Sequence, residues 1–184
     1  METTSIKDMF TALFHNDQAM LTVITIVLIN SALYITSNLI LYFFKYDLGT
    51  ELWKNNYTLF TTIGGATQIL GMMVLYPVLR NKLSNTTIFK TSLCMAILGY
   101  ALLLFASFMN LAHNMVILCL IGALVFSANG MLSVLTTVFL STSVDYGEMK
   151  TGRREESVIF SMQTFVVKAA SGLAVFLTGI GLDM

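Results

Sequence analysis

The sequence predicts an all-α integral membrane protein: five transmembrane helices preceded by a short interfacial helix. Two observations carry that prediction. Of the 184 residues, 56% are hydrophobic and only 11% charged, and mean hydropathy is +0.78. A soluble domain carries about 25% charged residues because its surface must face water. The second observation is placement, since the charges cluster in short stretches between long apolar runs. A chain solvated by lipid has that pattern.

A membrane span needs about 20 mostly apolar residues to cross a hydrocarbon core of about 30 Å. Five segments meet that length, at approximately 20–44, 56–79, 87–109, 115–141 and 157–180. Together they make a transmembrane bundle over 20–184, with 1–19 as a separate leading segment. The connections are Lys45 to Asn55, Arg80 to Thr86, Asn110 to Asn114 and Thr142 to Glu156. Pro77 falls near the end of the second span, where a broken helix does little harm. In the leading segment, Ile6, Met9, Phe10, Leu13 and Phe14 recur at helical spacing after Ser5, a candidate cap. Lys7, Asp8 and Thr11 fall on the other side, so the segment reads as a helix lying in the membrane interface.

Lysine and arginine distribution sets orientation. One side collects Lys7, Arg80, Lys82, Lys90, Lys150, Arg153 and Arg154, and the other only Lys45 and Lys54. The N-terminus is therefore expected in the cytoplasm, with the protein multi-pass in the cell membrane. The last span stops at Met184 with no polar tail beyond Asp183, so the chain reads as a fragment.

Composition also excludes partners. Net charge is zero and there is no long basic run, so nucleic acid is not expected and membrane lipid is. Cys94 and Cys119 lie far apart, each inside an apolar run, and read as small buried packing residues rather than ligands. No secretory signal is visible. An enzyme would need a nucleophile, a metal cluster or paired carboxylates. Asp145 and Glu148 are such a pair, but His15 and His113 fall on opposite sides of the membrane, so neither catalytic nor metal-binding residues are expected.

Polar residues at depth are where function shows in a membrane protein. Asn30, Tyr34, Ser37 and Asn38 share one face of the first span; Thr61, Gly65 and Gln68 share one in the second. The fourth has a stripe of Asn129, Ser133, Thr136, Thr137 and Ser141 beside Gly130. One such stripe reads as helix-packing glue, whereas several in one bundle point to a shared aqueous cavity. Lys168 is the sharpest signal. It lies about twelve residues into the last span, near the midplane, where a lysine costs roughly 2.5–3.5 kcal/mol. It is either a structural cation paired with a carboxylate on another helix or a group facing a water-filled site. Thr164 is one turn earlier and Gln163 adjacent. No carboxylate lies deep in the five spans, so cation ligands would come from other helices.

From Asp145 to Glu156 seven charges of both signs occupy twelve residues, and two glycines allow turns. The run DYGEMKTGRREESVIFSMQTFVVKAASGLA resembles the signature of the glycoside–pentoside–hexuronide:cation symporters, the melibiose-carrier-like branch of the major facilitator superfamily. SIKDMFTALFHND and LILYFFKYDLG are similar to that family's middle loop and seventh helix. The resemblance covers essentially the whole chain and implies helices seven to eleven of twelve, a partial major facilitator superfamily bundle.

It further implies alternating-access transport of a sugar or glycoside coupled to sodium, proton or lithium, with a six-helix N-terminal half supplying the main carboxylates. No other cofactor is implied. Lys168, Gln163 and Thr164 match positions beside the family's sugar and cation sites, and Asn30, Tyr34, Asn129 and Ser133 are the remaining candidate cavity residues. Asp145, Glu148, Arg154 and Glu156 match its charged cytoplasmic gate. Ser133 stands where the best-known melibiose carriers have tryptophan, which removes a stacking platform, and Thr142 stands where they have an aspartate. The alternative is a non-transporting or degenerate half-transporter, or a membrane scaffold.

Overall fold

The computed structural model describes residues 16–48, 51–109, 114–151 and 156–183. The expected interfacial helix, His15, His113, Arg153 and Arg154 lie outside them. The described residues are almost entirely helical: α1 is Asp17–Tyr42, α2 Trp53–Leu70, α3 Tyr76–Arg80, α4 Asn85–Phe108, α5 Met115–Thr151 and α6 Glu156–Asp183. Among the described residues, five helices are long and apolar enough to cross a membrane, at Asp17–Tyr46, Trp53–Arg80, Asn85–Phe108, Met115–Lys150 and Glu156–Ile180. The chain is a multi-pass, all-α membrane protein.

Polar residues start three of the helices. Asn16 Oδ1 accepts from Ala19 N at 3.0 Å, Ser84 Oγ from Thr87 N at 3.2 Å, and Asn114 Oδ1 from Val116 N at 3.0 Å. Each satisfies a donor that the first helical turn leaves without a partner, which lipid cannot supply.

Two spans change helical winding. α1 continues as a π-helix over Phe43–Asp47, closed by Leu48 N donating to Phe43 O at 3.1 Å. α2 passes through a π segment, Gly71–Leu75, before α3. Pro77 lacks an N–H and its ring crowds the carbonyl four residues back. The wider turn just upstream lets the helix continue to Arg80 instead of breaking.

The fourth span overturns one expectation. Thr142 to Glu156 was expected as a connecting loop, yet α5 stays helical to Thr151. Hydropathy marks where apolar side chains stop, and a helix satisfies its own backbone in water as well as in lipid. Gly147, expected to allow a turn, sits buried inside α5. Cys94 corrects another expectation: it is exposed on α4, and Cys119 is half-buried. In lipid an outward position needs no polar side chain, and Leu28, Leu104 and Phe176 also point outward.

The described residues group into two compact bodies, one within 1–39 plus 136–184 and the other 40–135. In the first, Ala19, Val23 and Ile26 of α1 meet Leu140 and Val144 of α5 and Ile159 and Met162 of α6. Spacings of three and four residues put each set on one helical face.

In the second body, Phe44 and Leu48 pack with Phe60 of α2 and Leu118 of α5. Phe60 lies 5.2 Å from Phe44 and 5.8 Å from Phe126 between ring centroids. Ala96 of α4 meets Ala128 and Leu132 of α5. Glycine brings backbones together here: a Cβ on Gly71 would lie 2.5 Å from Ser127 O, and one on Gly130 would meet Gln68 O. Helices gain little from burying apolar surface out of lipid, so such close packing carries their association.

Candidate functional site

The most conspicuous candidate is a groove along α6, about 590 Å³, lined by Ser157, Phe160, Ser161, Thr164, Phe165 and Lys168. Steps of three and four residues place all six on one face of that helix. Thr164 has a local outlet: its Oγ1 donates to Phe160 O at 2.9 Å, which leaves its oxygen free to accept. Lys168 has no such outlet. A lysine ammonium has three donors and no acceptor, and among the described residues Lys168 has no carboxylate partner. The arrangement presents a cation, hydroxyls and two phenyl rings side by side. That set can hydrogen-bond a hydroxylated or anionic ligand and cover the apolar face of a ring.

The other expected cavity residues divide between the bodies. Gln163 is half-buried on α6 but outside the groove lining. Asn30 and Tyr34 are half-buried one turn apart on α1, and Asn30 Nδ2 donates to Ile26 O at 2.8 Å. In the second body Asn129 is buried and Ser133 exposed on α5. Asn129 Nδ2 donates to Tyr100 Oη at 3.4 Å, while its Oδ1 and the Ser92 hydroxyl make no hydrogen bond among the described residues.

The stripes are therefore not equivalent. Several threonines bond to the preceding turn of their own helix, among them Thr61 to Tyr57 O and Thr142 to Val138 O. A hydroxyl so satisfied tolerates an apolar setting and does not require a cavity.

Of the residues expected to form a charged gate, Asp145 and Glu148 are exposed on the last turns of α5, and Glu156 is exposed at the start of α6. Arg154 lies outside the described residues. Helical continuation puts Asp145 and Glu148 at i and i+3, on one side of α5.

A tighter cluster nearby escaped the sequence reading. Asn16 caps α1 through Oδ1 while its Nδ2 donates to Ser143 O at 2.9 Å. Thr22 Oγ1 and Ser143 Oγ are 2.9 Å apart, and Ser143 Oγ donates to Phe139 O at 2.8 Å. Gly147 leaves the space that Asn16 occupies, since a Cβ there would meet Asn16 Nδ2. Lys150 Nζ lies 3.3 Å from Asp17 Oδ2 at the exposed edge. Asn16 directly before an apolar run was a legible cap signal. Its partner 127 residues away was not.

Comparison with known proteins decides the family. The profile described as MFS/sugar transport protein matches residues 1–184. The chain belongs to this family. It is 28% identical over 180 residues to a lactose permease of Lactobacillus helveticus, covering 96% of this chain and 26% of that protein. A lactose permease of Leuconostoc lactis is 29% identical over 178 residues, with the same two shares. An uncharacterized symporter of Bacillus subtilis (strain 168) is 28% identical over 175 residues, covering 93% of this chain and 36% of the relative.

The chain thus spans about a quarter to a third of the length of these relatives. The glycoside–pentoside–hexuronide-like resemblance agrees with them, and the matched proteins are transporters rather than enzymes.

Proposed function

We propose that this family member is the C-terminal part of a secondary active transporter that moves a sugar with a cation by alternating access. The observation that carries the reading is Lys168: a cation without an ion-pair partner among the described residues, in a hydroxyl- and aromatic-lined groove, on a chain matching a sugar-transport family throughout. A structural lysine at that depth would be paired with a carboxylate. In this reading the ligand takes that place.

In this reading Lys168 and Thr164 contact the sugar or its coupling site directly. Gln163, Asn30, Tyr34, Asn129 and Ser133 contribute to the cavity, and Asp145, Glu148, Arg154 and Glu156 form the cytoplasmic gate. Residues 20–184 are part of a C-terminal bundle, 1–19 is cytoplasmic, and a further six-helix half supplies the carboxylates for sodium, proton or lithium. The substrate is a glycoside, pentoside or hexuronide. The names of the lactose permeases support the first class.

The test is uptake of labelled lactose, a xyloside and a glucuronide by membrane vesicles carrying the gene's full product. Each is measured under sodium, lithium or proton gradients. Accumulation of one sugar class above equilibrium, driven by one cation, is expected. Equilibration that no gradient accelerates would sink the coupling. Liposomes containing only these 184 residues are expected to take up none.

A further inference from the structure

We propose that the pocket between the start of α1 and the end of α5 is a second sugar subsite. It would hold a neutral polyhydroxylated ring at the Lys150 end of this body. This deepens the transport reading and rests on it.

The pocket has a volume of about 430 Å³ and is lined by Gln18, Thr22, Phe139, Thr142, Ser143 and Tyr146. Pockets of roughly 300–1,000 Å³ take small organic ligands. Its chemistry is narrow: one amide, three aliphatic hydroxyls, a phenol, a phenyl ring and no charge. The flanking charges Asp17 and Lys150 neutralise each other at 3.3 Å. A phosphate or carboxylate ligand would find no cation in that lining. A sugar ring would find alternating donors and acceptors for its hydroxyls and aromatic carbon for its C–H face.

The polar groups are also available. The Gln18 side-chain amide and the Tyr146 hydroxyl make no hydrogen bond among the described residues. Thr142 gives its proton to Val138 O at 3.0 Å, which leaves its oxygen as an acceptor.

The far wall is held rigidly. Ser143 is buried, fixed through its carbonyl by Asn16 Nδ2 and through its hydroxyl by Thr22 and Phe139. Gly147 lets Asn16 reach it. Asn16 and Gly147 are thus positioning residues, since a preset wall lowers the ordering cost of binding. The Lys168 groove carries a cation and this pocket carries none, so the two sites differ in the chemistry they offer.

The experiment compares right-side-out and inside-out vesicles carrying the gene's full product, with labelled lactose as probe. Gln18→Ala and Tyr146→Ala should raise the half-saturating concentration about tenfold when lactose is offered from the Lys150 side, the size of one lost polar or ring contact. From the opposite side the change should stay under about twofold. Tyr146→Phe should recover most of the loss if ring contact dominates. Equal change from both sides, or no change from either, overturns the subsite. So does a phospholipid that co-purifies with wild type and is lost from both variants without side-dependent kinetics. Wild-type vesicles that take up none of the tested sugars from either side sink the transport reading itself, and the subsite with it.

Discussion

The two bodies solve the same problem with different means. In residues 40–135 helices approach through glycine, as at Gly71 against Ser127 and Gly130 against Gln68, and the space is filled by Phe44, Phe60 and Phe126. In the other body an apolar core formed by α1, α5 and α6 is joined by a polar clamp, Asn16 to Ser143 with Thr22, and an open face carries Lys168. Both sequences contain hydroxyl stripes, so composition does not separate them. What separates them is whether polar groups close on their own helix, on a neighbouring helix, or on nothing. Close backbone packing suits a support, and open polar faces suit a surface that meets ligand.

Several substitutions test that contrast. The largest effect belongs to the open face. Lys168→Ala in the gene's full product should abolish cation-coupled sugar uptake while membrane insertion stays intact, and wild-type accumulation would remove Lys168 from the site. Asp145→Ala is expected to do the same, read by the same uptake assay.

The support comes next. Gly71→Ala places a methyl group against a backbone carbonyl that cannot rotate away, so destabilisation of about 1–3 kcal/mol is expected in detergent denaturation. Gly65→Ala, with nothing within 4 Å, should be neutral or stabilise by up to about 1 kcal/mol. Equal behaviour of the two would erase the distinction between packed and open glycines.

The clamp is third. Asn16→Ala removes a cap and an interhelical bond and should cost about 1–2 kcal/mol in the same measurement. Gly147→Ala should match it, because the added methyl group displaces the same amide. Smallest is Asp17→Asn, which breaks an exposed ion pair and should stay within about 1 kcal/mol, vanishing in high salt.

Much of this was legible in the sequence, and the reasons differ by residue. The five spans follow from long apolar runs because lipid imposes length and apolarity on any helix that crosses it. Lys168 stood out because a cation inside an apolar run long enough to span is costly wherever the chain folds. Gln163 was grouped with it by sequence adjacency, yet five residues of helix turn it away from the groove lining. The extension of α5 to Thr151 was missed because hydropathy marks the end of lipid contact, not of the helix. Cys94 was expected inside because apolar surroundings read as core, although in a membrane the outside is apolar too.

Read alone, the sequence establishes that the chain is a multi-pass helical membrane protein, which family it resembles, and that Lys168 falls inside an apolar span. Those properties are local: each follows from the cost of placing one residue, or one run of residues, in hydrocarbon. The packed helices were needed to show that Asn16 grips Ser143, that Gly147 is a packing site rather than a turn, and that Gln18 and Tyr146 share a pocket. These depend on which helices meet. Contacts across 127 residues of chain leave no period or spacing in the sequence between them.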